Sequence, residues 1–346
     1  MTTETINPEN NPRPILVVGP AWVGDMIMAQ SLFITLKKKE PQAAIDVIAP
    51  PWSLPLLARM PEVRRAIPLA VAHGELALGK RFKLGWSLRG QGYGQAIVLP
   101  RTLKSALPPL VAAIPRRTGY LGEFRHGLLN DIRPQSEELY RTVDRYLNLG
   151  LEPGEAPPQP TPEPRLSISR KSRDDAAVAL NLHPETAPVL ALCPGAEYGP
   201  AKQWPTEHFT QLAQNRIAAG WQVWILGSER DQPVAAAITA GAPKAVNLAG
   251  RTTLAQAVDL LSSAGAAVSN DSGLMHVAAA VGVPVVALYG SSDPNYTPPL
   301  SGKAKFISLG LPCSPCFKKQ CPLGHLNCLR QISPQQVVST LEEIIL

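Results

Sequence analysis

One stretch limits what this chain can fold into more than any other: Val268-Ser-Asn-Asp-Ser-Gly-Leu-Met-His-Val-Ala-Ala-Ala-Val-Gly-Val-Pro-Val-Val-Ala-Leu-Tyr-Gly290. It reads as a strand end, a tight turn, a short helix, a second turn and a buried strand. Asn270, Asp271, Ser272 and Gly273 are turn and N-cap types. The helix expected from about Leu274 carries an Ala-rich face, and Gly282 followed by Pro284 is a stop signal. Val285 to Tyr289 is then an apolar run of strand length, as in a parallel sheet covered on both faces. A small-residue loop at a helix N-terminus offers backbone N–H groups and a positive dipole end, which suits an anion such as a pyrophosphate. An ordinary capped helix of an α/β sheet has the same pattern.

At 346 residues the chain has room for two domains, and 45% hydrophobic with 17% charged residues fits substantial cores. The 36 prolines are about twice average usage, so many turns are stiff. Met1 to Arg13 is polar, without an apolar segment of signal-peptide type, and is expected to be a disordered tail. No uninterrupted apolar run reaches about 18 residues, so no membrane-spanning segment is expected and the chain reads as cytoplasmic. The net charge of +6 is unevenly placed. Basic clusters at Lys37-Lys38-Lys39, Arg64-Arg65, Lys80-Arg81-Phe82-Lys83 and Arg116-Arg117 lie in the first half, which suggests an anionic partner there. No nucleic-acid module or aromatic-basic interleaving is present, so an anionic membrane surface or glycolipid is at least as plausible a partner as nucleic acid.

Taken in order, Pro14 to Pro20 is a short strand, followed by a loop that opens into a helix running to about Lys39. Strand, Gly-containing loop and helix place loop residues at the carboxyl edge of a parallel sheet, where ligands bind. The three glycines of a dinucleotide fingerprint are missing. Asp25 follows Gly24 at the helix start, either as a capping or first-turn acid or as a carboxylate base at the mouth of a cleft. Gly150 to Pro164 holds six prolines and is the clearest linker. The domains expected are therefore 14–160 and 161–346. In the second, strands and helices alternate regularly from Pro188 onward, which argues for another doubly wound parallel sheet.

Three loops of that second half fall on one sheet edge. Pro194 to Pro205 contains Glu197, Tyr198 and Lys202, and the lysine can reach an anion as a point charge. Gly227-Ser-Glu-Arg-Asp231 offers Ser228 and Glu229 to a ribose or base, although a solvated turn explains them equally well. Ala249 to Leu254 closes the edge, with Thr252 or Thr253 capping the next helix. Cys313, Cys316, Cys321 and Cys328, with His325 between the last two, have the ligand types of a zinc site. A second C-x2-C half is missing, so structural thiols and no metal are expected.

Together, Val23-Gly-Asp25, Lys202-Gln-Trp-Pro205, Ser269-Asn-Asp-Ser-Gly-Leu-Met-His276 and Leu288-Tyr-Gly-Ser-Ser-Asp-Pro294 resemble the ADP-heptose:lipopolysaccharide heptosyltransferases of glycosyltransferase family 9. The match runs in order from about Ile15 to the C-terminus. The segment Pro312 to Cys328 resembles the heptosyltransferase II branch rather than the I branch. The resemblance implies an α/β GT-B fold: two Rossmann-like doubly wound domains facing across a cleft, with donor nucleotide in the C-terminal half and acceptor in the N-terminal half. It also implies a last helix, from Pro334, that packs back on the N-terminal domain.

The implied reaction moves L-glycero-D-manno-heptose from ADP-heptose to the first heptose of the lipopolysaccharide inner core (heptosyl-Kdo2-lipid A), with inversion and no required cofactor or metal. Asp25 matches the family's proposed base. Lys202 and the positions Asp271, Ser272, Gly273 and His276 match groups near the donor, with Glu197, Tyr198, Ser228 and Glu229 on the neighbouring loops. Glu197-Tyr198 replaces hydroxyl residues of the first heptosyltransferase. The acceptor-binding residues are not assigned, and the lipid acceptor implies peripheral contact with the inner membrane surface. Two rival readings share this layout: a nucleotide-sugar 2-epimerase and a non-catalytic adenine-nucleotide-binding module.

Overall fold

The computed structural model describes residues 12–72 and 74–345. The expected N-terminal tail, apart from Pro12 and Arg13, lies outside the described residues. The chain divides into two units, the first ending at Pro162 and the second beginning at Glu163. The boundary falls inside the proline-rich segment, two residues from its expected place.

In the first unit the order is β1 (Ile15–Val18), α1 (Val23–Lys39), β2 (Ile45–Ala49), α2 (Leu54–Leu57), β3 (Val63–Pro68), α3 (Leu78–Ser87), β4 (Gln95–Val98), α4 (Leu107–Val111), β5 (Arg116–Tyr120), β6 (Asp131–Arg133) and α5 (Thr142–Leu149). The second runs α6 (Arg170–Ala179), β7 (Val189–Cys193), α7 (Thr206–Ala218), β8 (Gln222–Ile225), α8 (Gln232–Gly241), β9 (Val246–Asn247), α9 (Leu254–Leu261), β10 (Ala266–Asn270), α10 (Gly273–Ala280), β11 (Val285–Leu288), β12 (Ala304–Ile307), α11 (Asn327–Arg330) and α12 (Pro334–Ile345). Helices α3 and α11 and strands β6 and β12 were not expected from the sequence.

Each unit holds one six-stranded sheet, ordered β3-β2-β1-β4-β5-β6 and β12-β11-β10-β7-β8-β9, and every neighbouring pair is parallel. Counted from its own first strand, the second sheet repeats the order of the first. This is the doubly wound Rossmann arrangement, and its switch points lie between β1 and β4 and between β7 and β10. Strands β1, β2, β7, β10 and β11 are buried along their whole length. That explains their near-continuous Val, Ile, Leu and Ala runs, since both faces of a parallel sheet are covered by helices. Gly282 ends α10 in the left-handed region at φ +80°, so the Gly-then-Pro stop signal is borne out.

The last helix departs from expectation. Val337, Val338 and Leu341 of α12 are buried with Leu212, Val286, Leu288 and Ile307 of the second unit. The expected packing on the N-terminal unit is therefore corrected: the helix's apolar stripe is taken up by α7, β11 and β12.

One buried carboxylate interrupts the apolar strands. Asp46 of β2 accepts a bidentate pair of hydrogen bonds from Arg64 (2.8 and 2.7 Å), one from Arg65 (3.0 Å) and one from the Tyr93 hydroxyl. Burial alone would raise its pKa, but these hydrogen bonds and the arginine charges hold the carboxyl below its usual value. The same burial and the Asp46 hydrogen bond push the Tyr93 phenol up to about 12. Asp46→Ala leaves the buried Tyr93 hydroxyl without this partner, and the expected loss is about 1–3 kcal/mol. A denaturant midpoint equal to wild type would refute this account.

Candidate active site

Strand β10 ends in Asn270, whose fully buried amide joins the two sides of the switch point. Its Oδ1 accepts the Trp204 backbone N–H at 3.0 Å, and its Nδ2 donates to the Pro194 carbonyl at 2.7 Å. The loop from β7 to α7 is thereby fixed against the end of β10. The Trp204 indole, buried in the core, donates to the Ile332 carbonyl at 2.9 Å and anchors the loop from its other side.

The fixed loop brings Lys202 onto Asp271, the residue after Asn270, and Lys202 Nζ donates to Asp271 Oδ2. Only 16% of the lysine side chain and 5% of the aspartate are exposed. Lys202 is therefore a largely buried charge and not a solvated surface group. Tyr198 lies under the same ammonium, with its ring centroid 5.0 Å from Lys202 Nζ, and its hydroxyl donates to the Phe317 carbonyl at 2.8 Å. A second cation, Lys319, sits 5.8 Å from the same ring.

Helix α10 starts beside this pair. Ser272 is its N-cap in extended conformation, and its side chain makes no cap bond. Its hydroxyl instead lies 3.3 Å from that of Ser269. Backbone N–H groups of a first helical turn have no intrahelical acceptor, so those beginning at Gly273 are available to an anion. One turn on, His276 is buried. Burial foremost, with the Lys202 charge, outweighs the attraction of Asp271 and depresses the imidazole to about 4. It is neutral at neutral pH.

The remaining expected donor residues sit on adjoining loops. Glu197 pairs with Arg230, linking the loop after β7 to the loop after β8. Ser228 caps the short turn Glu229–Asp231, with its N–H and hydroxyl each 2.8 Å from Asp231 Oδ2. Glu229 is exposed. Thr253 caps α9 through a capping box with Gln256, as expected for one of the two threonines. Lys202, Tyr198, Asp271, Ser272, Gly273 and His276 thus form one group at the second switch point, while Glu197, Ser228 and Glu229 border it.

In the first unit Asp25 lies in the first turn of α1, on the carboxyl side of β1 at the other switch point. The N-cap is Trp22, so Asp25 is a first-turn acid rather than the cap. The helix dipole favours its ionised form. Sequence reasoning missed Arg125, which is fully buried and pins the loop after β4 to the end of β5. Its Nη1 donates to the Pro100 carbonyl at 2.7 Å, and its Nη2 to the Tyr120 carbonyl. Burial, then the like charge of Arg101, lowers its pKa to about 10. Nothing in Glu-Phe-Arg-His marks this arginine as internal, because its acceptors are backbone carbonyls at the end of β5 and in the loop after β4.

Cys313, Cys316, Cys321, Cys328 and His325 line one cavity of about 20 Å³ with Ala201 and Ser291. Among the described residues no group of three or more His, Cys, Asp or Glu side chains is placed to hold a metal ion. Cys193, in β7, is fully buried, and burial pushes its thiol up to about 12.

Residues 81–327 match the model of glycosyltransferase family 9 (heptosyltransferase). The chain is 47% identical to lipopolysaccharide heptosyltransferase 2 of Escherichia coli K12, over 96% of this chain and 98% of that protein. It is likewise 47% identical to lipooligosaccharide heptosyltransferase 2 of Haemophilus influenzae, over 85% and 88%. The solved structure of E. coli ADP-heptose LPS heptosyltransferase II superposes with a TM-score of 0.86 at 45% identity, covering 96% and 98% of the two chains.

His276 supplies a pH test. Its folded pKa lies below its ordinary value of 6.5, so on acidification the unfolded chain takes up a proton that the folded chain refuses. This site therefore leaves stability unchanged above about pH 7 and lowers it as pH falls from 6.5 towards about 4. His276→Gln should flatten that part of the stability–pH curve. An identical curve for the two proteins would mean that the imidazole is not held neutral.

Proposed function

Because the chain belongs to glycosyltransferase family 9, the heptosyltransferases, we propose that it transfers L-glycero-D-manno-heptose from ADP-heptose to the first heptose of the lipopolysaccharide inner core. The observation that carries the donor half of this reading is the Lys202–Asp271 pair at the N-terminus of α10, on the β7–β10 switch point. Family membership sets the epimerase and the non-catalytic module aside.

In this reading the donor diphosphate lies against the α10 N-terminus. The N–H groups of Ser272 and Gly273 and the Lys202 ammonium take up the negative charge that grows on the leaving ADP. Asp271 holds the ammonium in place, and neutral His276 adds an uncharged hydrogen-bonding group beneath it. Tyr198, Glu197, Ser228 and Glu229 frame the nucleoside. Asp25 accepts the proton of the acceptor hydroxyl as its oxygen attacks the anomeric carbon, and the carbon–oxygen bond to ADP breaks on the opposite face. The product is inverted, and the steps call on no cofactor. The acceptor is heptosyl-Kdo2-lipid A, which places the enzyme peripherally on the cytoplasmic face of the inner membrane. No helix among the described residues is long and apolar enough to cross a membrane.

Mixing the chain with ADP-heptose and heptosyl-Kdo2-lipid A should yield a lipid heavier by one heptose, with ADP released. Donor turnover without acceptor, or no product, would overturn the reading. Asp25→Asn keeps shape and removes basicity, so turnover should fall by roughly 10²–10⁴ while ADP binding and thermal stability persist. Near-normal turnover in that variant would take Asp25 out of the mechanism.

The donor site has its own test. Lys202→Ala removes one charge-assisted contact, worth about 1.5–3 kcal/mol, so the donor KM should rise roughly 10–150-fold. It also strips buried Asp271 of its partner, so the double variant Lys202→Ala/Asp271→Ala is needed beside it. Unchanged donor dependence in both would remove Lys202 from the diphosphate site.

A further inference from the structure

Helix α3 turns a basic and apolar face to solvent. Leu78, Phe82 and Trp86, spaced four residues apart, are 47%, 53% and 65% exposed. Such spacing places them within one arc of the helix surface. On the adjoining face Arg81 and Gly85 are buried. The Arg81 guanidinium donates to the Leu76 carbonyl at 2.7 Å. A Cβ on Gly85 would come within 2.6 Å of Val111 Cβ and 2.7 Å of the Pro108 carbonyl oxygen. The backbone of α3 is thus pressed onto α4, and its aromatic side chains are left outside.

The charge on and beside this helix is mostly basic. From Leu76 to Gly122 the chain contains no acidic residue, and Lys80, Lys83 and Arg89 fall on α3 or directly after it. Lys83 is exposed beside Phe82, and the Arg89 guanidinium lies 4.6 Å over the Trp86 ring. Lys80 and Lys104 turn back, donating to the carbonyls of Ala70 and Glu75. Glu75, the one acid at this edge, lies 3.8 Å from Lys80. Leu110 of α4 is partly exposed as well. Exposed large apolar side chains are unremarkable singly, but grouped on one helix with a basic rim they mark a contact surface.

We propose that α3 docks this unit on an anionic phospholipid bilayer, with Phe82 and Trp86 in the boundary between headgroups and acyl chains and Lys83 and Arg89 on lipid phosphates. The proposal rests on the lipid-acceptor reading above and names the element that serves it. Aromatic side chains settle at that boundary, and basic residues are drawn to the negative surface potential of such a leaflet. A protein partner of the same face would need acidic residues opposite Lys83 and Arg89. The bilayer is preferred because Phe, Trp and Leu with Lys and Arg is the composition of an interfacial helix. Binding by one short helix is reversible, as an enzyme that must leave its product requires.

The test is co-sedimentation of the full chain with vesicles of phosphatidylcholine alone and of phosphatidylcholine mixed with phosphatidylglycerol, without any substrate. Wild type should bind the mixed vesicles and not the neutral ones. Phe82→Ser/Trp86→Ser and Lys83→Glu/Arg89→Glu should each lower that binding roughly tenfold or more. Both variants should keep the wild-type unfolding midpoint and wild-type turnover on a deacylated, water-soluble core acceptor. Wild type remaining in the supernatant with mixed vesicles, or both variants sedimenting like wild type, would overturn the proposal. Failure of wild type to turn over the deacylated acceptor would instead overturn the transferase reading.

Discussion

The Asn270 side chain holds the second unit's site together. A buried amide tolerates no missing partner, and here both ends are used: its oxygen takes the Trp204 N–H and its nitrogen gives to the Pro194 carbonyl. The β7–α7 loop therefore has one position relative to β10. Lys202 is two residues from one of those contacts, and Asp271 is the next residue after Asn270. Their ion pair follows from a hydrogen-bonding constraint that involves neither of them. A charge pair this deeply placed is costly to form in isolation and is retained where its geometry is imposed by the surroundings.

From that pair the electrostatics of the edge can be followed outward. The lysine charge and the helix N-terminus both favour an anion, while Asp271 balances the lysine charge. His276, one turn further in, stays neutral because burial, aided by the Lys202 charge, outweighs the attraction of Asp271. The edge thus joins one fixed ion pair, one uncharged imidazole and a row of backbone donors. Loops carrying Glu197, Ser228 and Glu229 close around it through contacts of their own, the Arg230 ion pair and the Asp231 cap.

Much of this was legible because it is local. The turn Asn270 to Gly273, the stop at Gly282, the run Val285 to Leu288 and the Thr253 cap each depend on residues a few positions apart. What escaped depends on distant partners. Asp46 sits in an apolar strand, and only the fold brings Arg64, Arg65 and Tyr93 to it. Arg125 finds its acceptors in the loop after β4 and at the end of β5. Helix α3 was missed because two glycines and a basic cluster mask its period; its exposed face follows from Gly85 lying against α4. The terminal helix showed its stripe plainly, but not which unit the stripe would cover.

The strand order carries a consequence for how the chain is made. In each sheet the first strand is central, and its second neighbour arrives late: Ile15 pairs with Gln95, and Leu190 with Ala266. Helix α1 is packed by α5, which ends at Leu149. As the polypeptide emerges from the ribosome, β1 and β2 are present long before anything can cover the open edge of β1. Non-local parallel pairing of this kind is slow, because loop closure must precede the contacts that reward it. A nascent chain halted before residue 149 would present apolar strand edges and an uncovered helix face, the surfaces that holding chaperones bind. Synthesis of the first unit therefore passes through an aggregation-prone interval.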